Sequence, residues 1–310
     1  MKVAVLMGGM SAERDVSLQT GKAIAGALRE LGHDAVEVDV DRQLGQRLAE
    51  VQPDAAFMAL HGRGGEDGTV QGLLEIMRIP YTGCGVLSSA MTMDKVVTKE
   101  ILAYHGLPVI EEIVLRGDYC TDDLARVSAT LGYPVMVKPP TEGSSIGVVC
   151  VNAPEDLEPA LADVFERDDR AMIERFVKGR LFTVGVLGDE PVVLPILEIR
   201  TAEGFYDYEA KYQPGMSEYE VPAKLDPEVT EEARRITLES FKCLFCRGIS
   251  RIDLMLEDVT GKLYVLEVNT IPGMTATSLV PKAAAAIGMT FNEVVAGILA
   301  GASLKVDLSG

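Results

Sequence analysis

The stretch "IDLMLEDVTGKLYVLEVN", residues 252–269, decides how the rest of the chain reads. Two apolar runs flank a turn, yet Asp253, Glu267 and Asn269 stand within them. Successive strand residues point to opposite faces, so Ile252, Leu254 and Leu256 share one face of the first strand, and Arg251, Asp253 and Met255 share the other. Strict alternation in the second strand puts Val268, Leu266 and Tyr264 on the core face and Asn269, Glu267 and Val265 opposite. A three-residue loop at Val259-Thr260-Gly261, with glycine at the position that favours positive φ, sets Asp253 across from Glu267 and Arg251 across from Asn269. Two carboxylates and an amide oxygen then lie side by side. Like charges directly opposite on a sheet repel. Two compensations are open: a hard divalent cation such as magnesium, which takes oxygen ligands and leaves room for phosphates, or an exposed face on which Arg251 balances the acids.

Working outward, 310 residues suit two or three domains, and 47% hydrophobic with 25% charged residues describes a globular chain. A net charge of -18 argues against a protein that grips nucleic acid, where a basic surface supplies most of the affinity. No run of eighteen uncharged apolar residues suggests a membrane span. "MKVAVLMGG" enters a strand directly and lacks a signal-peptide pattern, so a cytoplasmic location is expected. Five cysteines fit reduced thiols better than a disulfide framework. Cys243 and Cys246 have C-x-x-C spacing, but no second pair completes a zinc site, so buried helical cysteines are expected there.

The strands 2–8, 34–40 and 54–60 alternate with helical segments such as 17–31, which predicts an N-terminal parallel sheet. Its first turn, "GGMSAERDVS", lacks the dinucleotide-binding G-x-G-x-x-G pattern. After about residue 93 the texture becomes a small α+β unit, with helices at 93–106 and 122–131 and strands around "EEIVL" and "YPVMVK". From about 178 strands predominate, followed by a long helix over 227–245, the opening hairpin, and a closing helix near 291–302. The expected division is 1–93, 94–177 and 178–310.

Four further segments carry chemistry. "VMVKPPTEGSSIGVV" places Lys138 at a strand end before Gly143-Ser144-Ser145-Ile146-Gly147. Such small residues let backbone N–H groups close around phosphate oxygens, although no Walker A pattern is present and an ordinary hairpin turn fits as well. "ALHGRGGEDGTVQG" follows a parallel strand, at the end where ligands tend to bind. "FYDYEAKYQPG" sets Lys211 beside Tyr212, as a site lysine or a snorkelling one. "NTIPGMTATSLVP" ends in a helix start that either holds a carboxylate on its N–H groups or is simply capped.

These segments, in this order, resemble the D-alanine-D-alanine ligase family of ATP-grasp ligases. The resemblance covers nearly the whole chain and rests on "GGMSAERDVS", "HGRGGEDGTVQG", "MDK", "VKPPTEGSSIG", "YDYEAKY", "RIDLML" and "LEVNTIPGMTATSLVP". It implies a three-domain α/β fold with a Rossmann-like N-terminal domain and ATP clasped between the second and third domains. The implied reaction makes D-alanyl-D-alanine, for peptidoglycan precursor synthesis, through an acyl phosphate. Asp253, Glu267 and Asn269 would hold two Mg2+ ions, with Mn2+ able to substitute. Lys95, Lys138 and Ser145 would contact the polyphosphate, with Lys211 closing over the transferred group. Glu174 would receive the adenine amino group, with Phe176, Val177, Phe205 and Met255 around the base. Glu13 would bind the first D-alanine's ammonium, linked through Ser144 to Tyr212. Arg251 and the N–H of Gly273 would form the oxyanion hole. Ser278 and the N–H of Leu279 would grip the second carboxylate, in a pocket shaped by His61. Tyr212 in "EAKY" favours an amine nucleophile over D-lactate.

The resemblance also implies a homodimer and neither a nucleic-acid nor a membrane partner. One departure stands out: Leu181 replaces the acid expected at the ribose hydroxyls, which motivates weaker ATP binding or a substitute acceptor. A relative with D-lactate or D-serine as second substrate, and a nucleotide-binding homologue without turnover, remain alternatives.

Overall fold

The computed structural model describes residues 1–201 and 217–306. The N-terminal part runs β1 (Lys2–Met7), α1 (Arg14–Glu30), β2 (Asp34–Asp39), α2 (Leu44–Val51), β3 (Ala55–Met58), α3 (Thr69–Ile76) and α4 (Val86–Met93). β1 lies between β2 and β3, parallel to both. Val3, Ala4, Val5 and Leu6 are wholly buried, as expected of a parallel strand covered on both faces.

The middle of the chain continues with α5 (Lys95–Tyr104), β4 (Glu112–Arg116), α6 (Thr121–Leu131), β5 (Val135–Lys138), β6 (Val149–Val151), α7 (Leu157–Phe165) and β7 (Arg170–Arg175). Its strands form an antiparallel sheet in the order β4-β7-β5-β6. Asp94 starts α5 by accepting the N–H groups of Val96 and Val97, satisfying donors that a helix end leaves unpaired.

The last part carries β8 (Gly179–Leu187), β9 (Val192–Val193), β10 (Leu197–Thr201), β11 (Ser217–Glu220), α8 (Pro227–Cys243), β12 (Ile249–Glu257), β13 (Leu263–Asn269), α9 (Leu279–Ala285) and α10 (Phe291–Ala300). The third sheet has the order β11-β10-β8-β12-β13, with β9 on β8. α8 covers one face, burying Ala233, Ile236 and Phe241 against Phe182, Val184, Ile252 and Leu254. α9 and α10 return to the first sheet, where Val280, Ala283, Val294 and Ile298 join a core with Val3, Val5 and Phe57.

The β12-β13 hairpin bears out the expected register: Arg251 pairs with Asn269 and Asp253 with Glu267. Beyond that point the expected alternation fails. A bulge follows Asp253, so Leu254 faces Val265 and the chain skips Leu266. Val265, at 1% exposure, and Leu263, at 6%, therefore join Val268 in the core, while Leu266 and Tyr264 turn to the other face with Glu267 and Asn269. The extra residue also makes the connection longer than the expected three-residue loop, spanning 258–262 between the strands, with Gly261 at φ +66° as anticipated. The cysteine expectation needs a smaller correction. All five thiols are free, but Cys243 is only half-buried at the end of α8, and buried Cys246 lies beyond the helix.

The bulge makes adjacent residues unequal. Val265→Asn is expected to cost about 3 kcal/mol of unfolding free energy, because it loses apolar burial and hides an unpaired amide, against about 1 kcal/mol for half-exposed Leu266→Asn. Urea melts of both variants check this, and a larger loss for Leu266→Asn would restore unbroken alternation.

Candidate active site

The polar face of the β12-β13 hairpin is tied together by cations and an amide. Arg251 donates from Nε to Asp253 Oδ1 at 2.9 Å and from Nη2 to Oδ2 at 2.7 Å, and lies 3.8 Å from Glu267 Oε1. Lys95 Nζ is 3.6 Å from Glu267 Oε2. Asn269 Nδ2 reaches Asp253 at 3.4 Å and Glu267 at 3.5 Å, and Thr183 on β8 donates to Asp253 at 2.6 Å. Among the described residues no three His, Cys, Asp or Glu side chains gather into a metal cage. An ion here would draw on two carboxylates, the Asn269 amide turned to present its oxygen, and further oxygens from water or a ligand. That donor set fits Mg2+, which typically keeps waters and substrate phosphates in its shell.

Across the cleft, the loop between β5 and β6 is pinned by its neighbours. Lys95 donates its backbone N–H to the Pro140 carbonyl at 3.1 Å and its ammonium to the Glu142 carbonyl at 2.7 Å. Ser144 and Ser145 adopt φ of +49° and +58°, a left-handed conformation that non-glycine residues hold only when their surroundings impose it. The Ser144 hydroxyl donates to Glu13. Glu13 in turn fits because Gly62 and Gly143 lack side chains: a Cβ on either would come within 2.8 Å and 2.6 Å of Glu13 Oε2.

Glu174 lies on β7 with both carboxylate oxygens engaged, one by Lys99 and the other by Lys138, and Lys99 also pairs with Glu112. Burial pushes the Glu174 carboxyl up, but the two ammonium groups outweigh it and hold it below the ordinary value. Glu112 shifts the other way, because its burial exceeds what Lys99 returns. Phe176 and Val177 follow on the crossing to β8, Val177 buried. Met255 faces Leu181 across β8-β12, and both are half-buried. Phe205, Lys211 and Tyr212 lie outside the described residues.

At the other end of the cleft, Glu66 accepts the N–H groups of Gly62 at 2.8 Å and Ile271 at 3.2 Å. Removal from water, reinforced by Glu13, pushes its carboxyl up to about 8. His61 is buried with Nε2 3.2 Å from the Thr20 hydroxyl. Burial, aided by Arg251, lowers its ring to about 4, so the imidazole is neutral at neutral pH. Gly273 lies close under Ser278, where a Cβ would sit 3.1 Å from Oγ, and Ser278 precedes the first residue of α9, Leu279.

Of the described site residues from the sequence, Lys95, Glu267 and Asn269 line one pocket with Glu66 and Gly143, while His61, Glu174 and Val177 are buried. Sequence reasoning missed Lys99, Glu112 and Thr183 as participants, while Glu66 falls in the "HGRGGEDG" segment read as a ligand site. Lys99 was findable, since it follows Lys95 by one helical turn on the same face. Thr183 becomes Asp253's partner only through the β8-β12 register, which no local pattern specifies.

Comparison with known proteins places the chain's sequence and fold. A family model described as D-ala D-ala ligase C-terminus matches residues 101–300, and one described as D-ala D-ala ligase N-terminus matches residues 42–84. The chain is 49% identical over 98% of its length to a D-alanine-D-alanine ligase of Syntrophotalea carbinolica, covering 97% of that protein. Among solved structures it is similar to D-alanine-D-alanine ligase from Bacillus anthracis complexed with ATP, at 36% identity and TM-score 0.84 with 97% of each chain covered. It is also similar to the VanG D-Ala:D-Ser ligase from Enterococcus faecalis, at 29% identity and TM-score 0.83, covering 96% of this chain and 98% of that one.

The neutral state of His61 has a consequence for stability. Its proton is held less tightly in the folded chain than in the unfolded one, so stability present above the ordinary value of 6.5 is lost as pH falls toward about 4. His61→Gln is expected to flatten that slope in urea melts taken across this window; an unchanged slope would contradict the assignment.

Proposed function

Because the chain belongs to the D-alanine-D-alanine ligase family, we propose that it joins two D-alanines to D-alanyl-D-alanine at the expense of ATP, supplying peptidoglycan precursor synthesis. The observation that carries this reading is the position of Lys95. Its ammonium reaches both the Glu142 carbonyl of the β5-β6 loop and Glu267 of the acidic hairpin, joining a phosphate-binding element to a metal-binding one.

A carboxylate resists nucleophiles until it carries a leaving group, so the first step moves the γ-phosphoryl group of ATP onto the first D-alanine. Glu13 orients that substrate through its ammonium, with Ser144 holding the Glu13 carboxylate. Lys95, Lys138 and Ser145 neutralise the polyphosphate, and Lys211 covers the transferred group. Glu174, Phe176, Val177, Phe205 and Met255 surround the adenine. With both Glu174 oxygens occupied by lysines, its carboxylate also fixes Lys138 in place. Asp253, Glu267 and Asn269 would hold Mg2+, which when bound would supply positive charge to offset that of the phosphates, as metals do in phosphoryl transfer. Ser278 and the Leu279 N–H hold the second D-alanine by its carboxylate beside His61, with its amine aimed at the acyl carbon. Arg251 and the Gly273 N–H stabilise the oxyanion that forms before phosphate leaves.

Three units, 1–93, 94–177 and 178–310, are proposed, supported by the presence of one sheet in each. A cytoplasmic location and a homodimer belong to the same proposal; among the described residues no helix is long and apolar enough to cross a membrane. Likeness to a D-Ala:D-Ser ligase means that the fold alone does not choose the second substrate. The Tyr212 segment favours an amine.

Purified protein given ATP, Mg2+ and equal D-alanine and D-lactate at neutral pH is expected to release phosphate and form mainly the dipeptide. Arg251→Ala should lower turnover ~100 to 1000-fold. A mainly ester product would overturn the choice of nucleophile, absence of phosphate release would support a homologue without turnover, and near-normal turnover in Arg251→Ala would remove its oxyanion role.

A further inference from the structure

A cleft of about 450 Å³ opens beside the site, where three segments with different roles in the reaction meet. Its walls carry Arg63 from the loop after β3, Asp94 at the start of α5, Thr141 from the β5-β6 loop, and Asp168 and Arg170 at the start of β7. Arg63 Nη2 donates to Thr141 Oγ1 at 2.7 Å and to the Arg167 carbonyl at 3.4 Å. The same guanidinium lies 3.4 Å from Glu142 and 3.8 Å from Asp168. Thr141 passes the connection inward, donating to Asp168 from its N–H at 3.2 Å and its hydroxyl at 2.5 Å. Arg170 then pairs at 2.5 Å with Asp94, the residue that caps the helix beginning with Lys95.

We propose that Arg63 is a positioning residue for the ligation: a latch that holds the β5-β6 loop closed over the first D-alanine and shields the acyl phosphate from water. This rests on the function proposed above. Lys95, Glu13, Asp168 and Arg63 are among the side chains that tie that loop to other parts of the molecule, and Arg63 brings its tie from the N-terminal sheet's loop. Lys95 and Glu13 have work to do on substrate, Lys95 on phosphate and Glu13 on an ammonium group, so their contacts with the loop must loosen or be shared when ligands arrive. Among the described residues Arg63 meets Thr141, Glu142, Asp168 and the Arg167 carbonyl, none of which is assigned to a ligand. The latch therefore needs no contact to be given up when substrate binds. The planar guanidinium reaches a hydroxyl and flanking carboxylates from one position, which a lysine ammonium on a flexible stem does not reproduce. The side chain is 52% exposed, so its effect is expected to be moderate rather than decisive.

The unchanged protein, Arg63→Ala, Arg63→Lys and Arg167→Ala are compared at saturating D-alanine by KM for ATP, kcat, and phosphate released per dipeptide formed. Loss of one charge-assisted hydrogen bond predicts a rise of about tenfold in KM for ATP in Arg63→Ala, with a much smaller change in kcat. The phosphate-to-dipeptide ratio should rise above that of the unchanged protein, since water attacking the acyl phosphate returns D-alanine and phosphate. Arg63→Lys should fall between, and Arg167→Ala, which keeps the backbone carbonyl, should match the unchanged protein. If Arg63→Ala does not fold, Arg63→Lys carries the same test. An unaltered KM and ratio in the Arg63 variants, or a fall in kcat with both unchanged, would overturn the latch. Absence of phosphate release by the unchanged protein with D-alanine would instead fail the ligase reading, and the latch with it.

Discussion

Asp253 and Glu267 stand directly opposite each other on adjacent strands, and the repulsion between them must be met by something nearby. It is met by Arg251, Lys95 and the amide of Asn269. Each of those contacts recruits another part of the chain. Lys95 belongs to the helix capped by Asp94 and grips the β5-β6 loop; Arg251 lies on the strand beside β8; Thr183 adds a hydroxyl from β8 itself. The two acids thereby set the relative placement of the hairpin, the β5-β6 loop and the start of α5. Under the proposed function, a cation delivered with ATP would free Lys95 and Arg251 for the phosphate and oxyanion roles proposed for them.

Much of this was legible in the sequence, for identifiable reasons. The Asp253-Glu267 register agrees with the expectation from alternation and a Gly261 turn, although a longer connection and the bulge after Asp253, which offset each other, replace the expected three-residue loop. The parallel N-terminal sheet followed from the strand-helix rhythm and from apolar runs long enough to be covered on both faces. The inward placement of Val265 was not legible, because a bulge arises from the fit of two twisted strands and leaves no mark in periodicity. The Lys99-Glu112-Glu174-Lys138 network was equally hidden. Its members are scattered over four elements, α5, β4, β5 and β7, and the β4-β7-β5 order brings the three strand residues within reach of Lys99.

Leu181 shows how a departure from a family pattern reads in three dimensions. It lies on β8 opposite Met255, beside the region proposed for adenine, where an apolar side chain packs but offers no hydrogen bond to ribose. The same strand places Thr183 against Asp253 and Arg180 against Glu198, so β8 combines support for the acids with part of the nucleotide wall.

The central claim is that the opposed acids of the hairpin exist to hold metal with nucleotide. Counting Mn2+ bound per chain in the presence of a non-hydrolysable ATP analogue, by the loss of its free electron paramagnetic resonance signal, tests this most directly. The account predicts two ions for the unchanged protein and fewer than two for Glu267→Gln at the same free Mn2+ concentration. Full occupancy in that variant, with undiminished affinity, would contradict it.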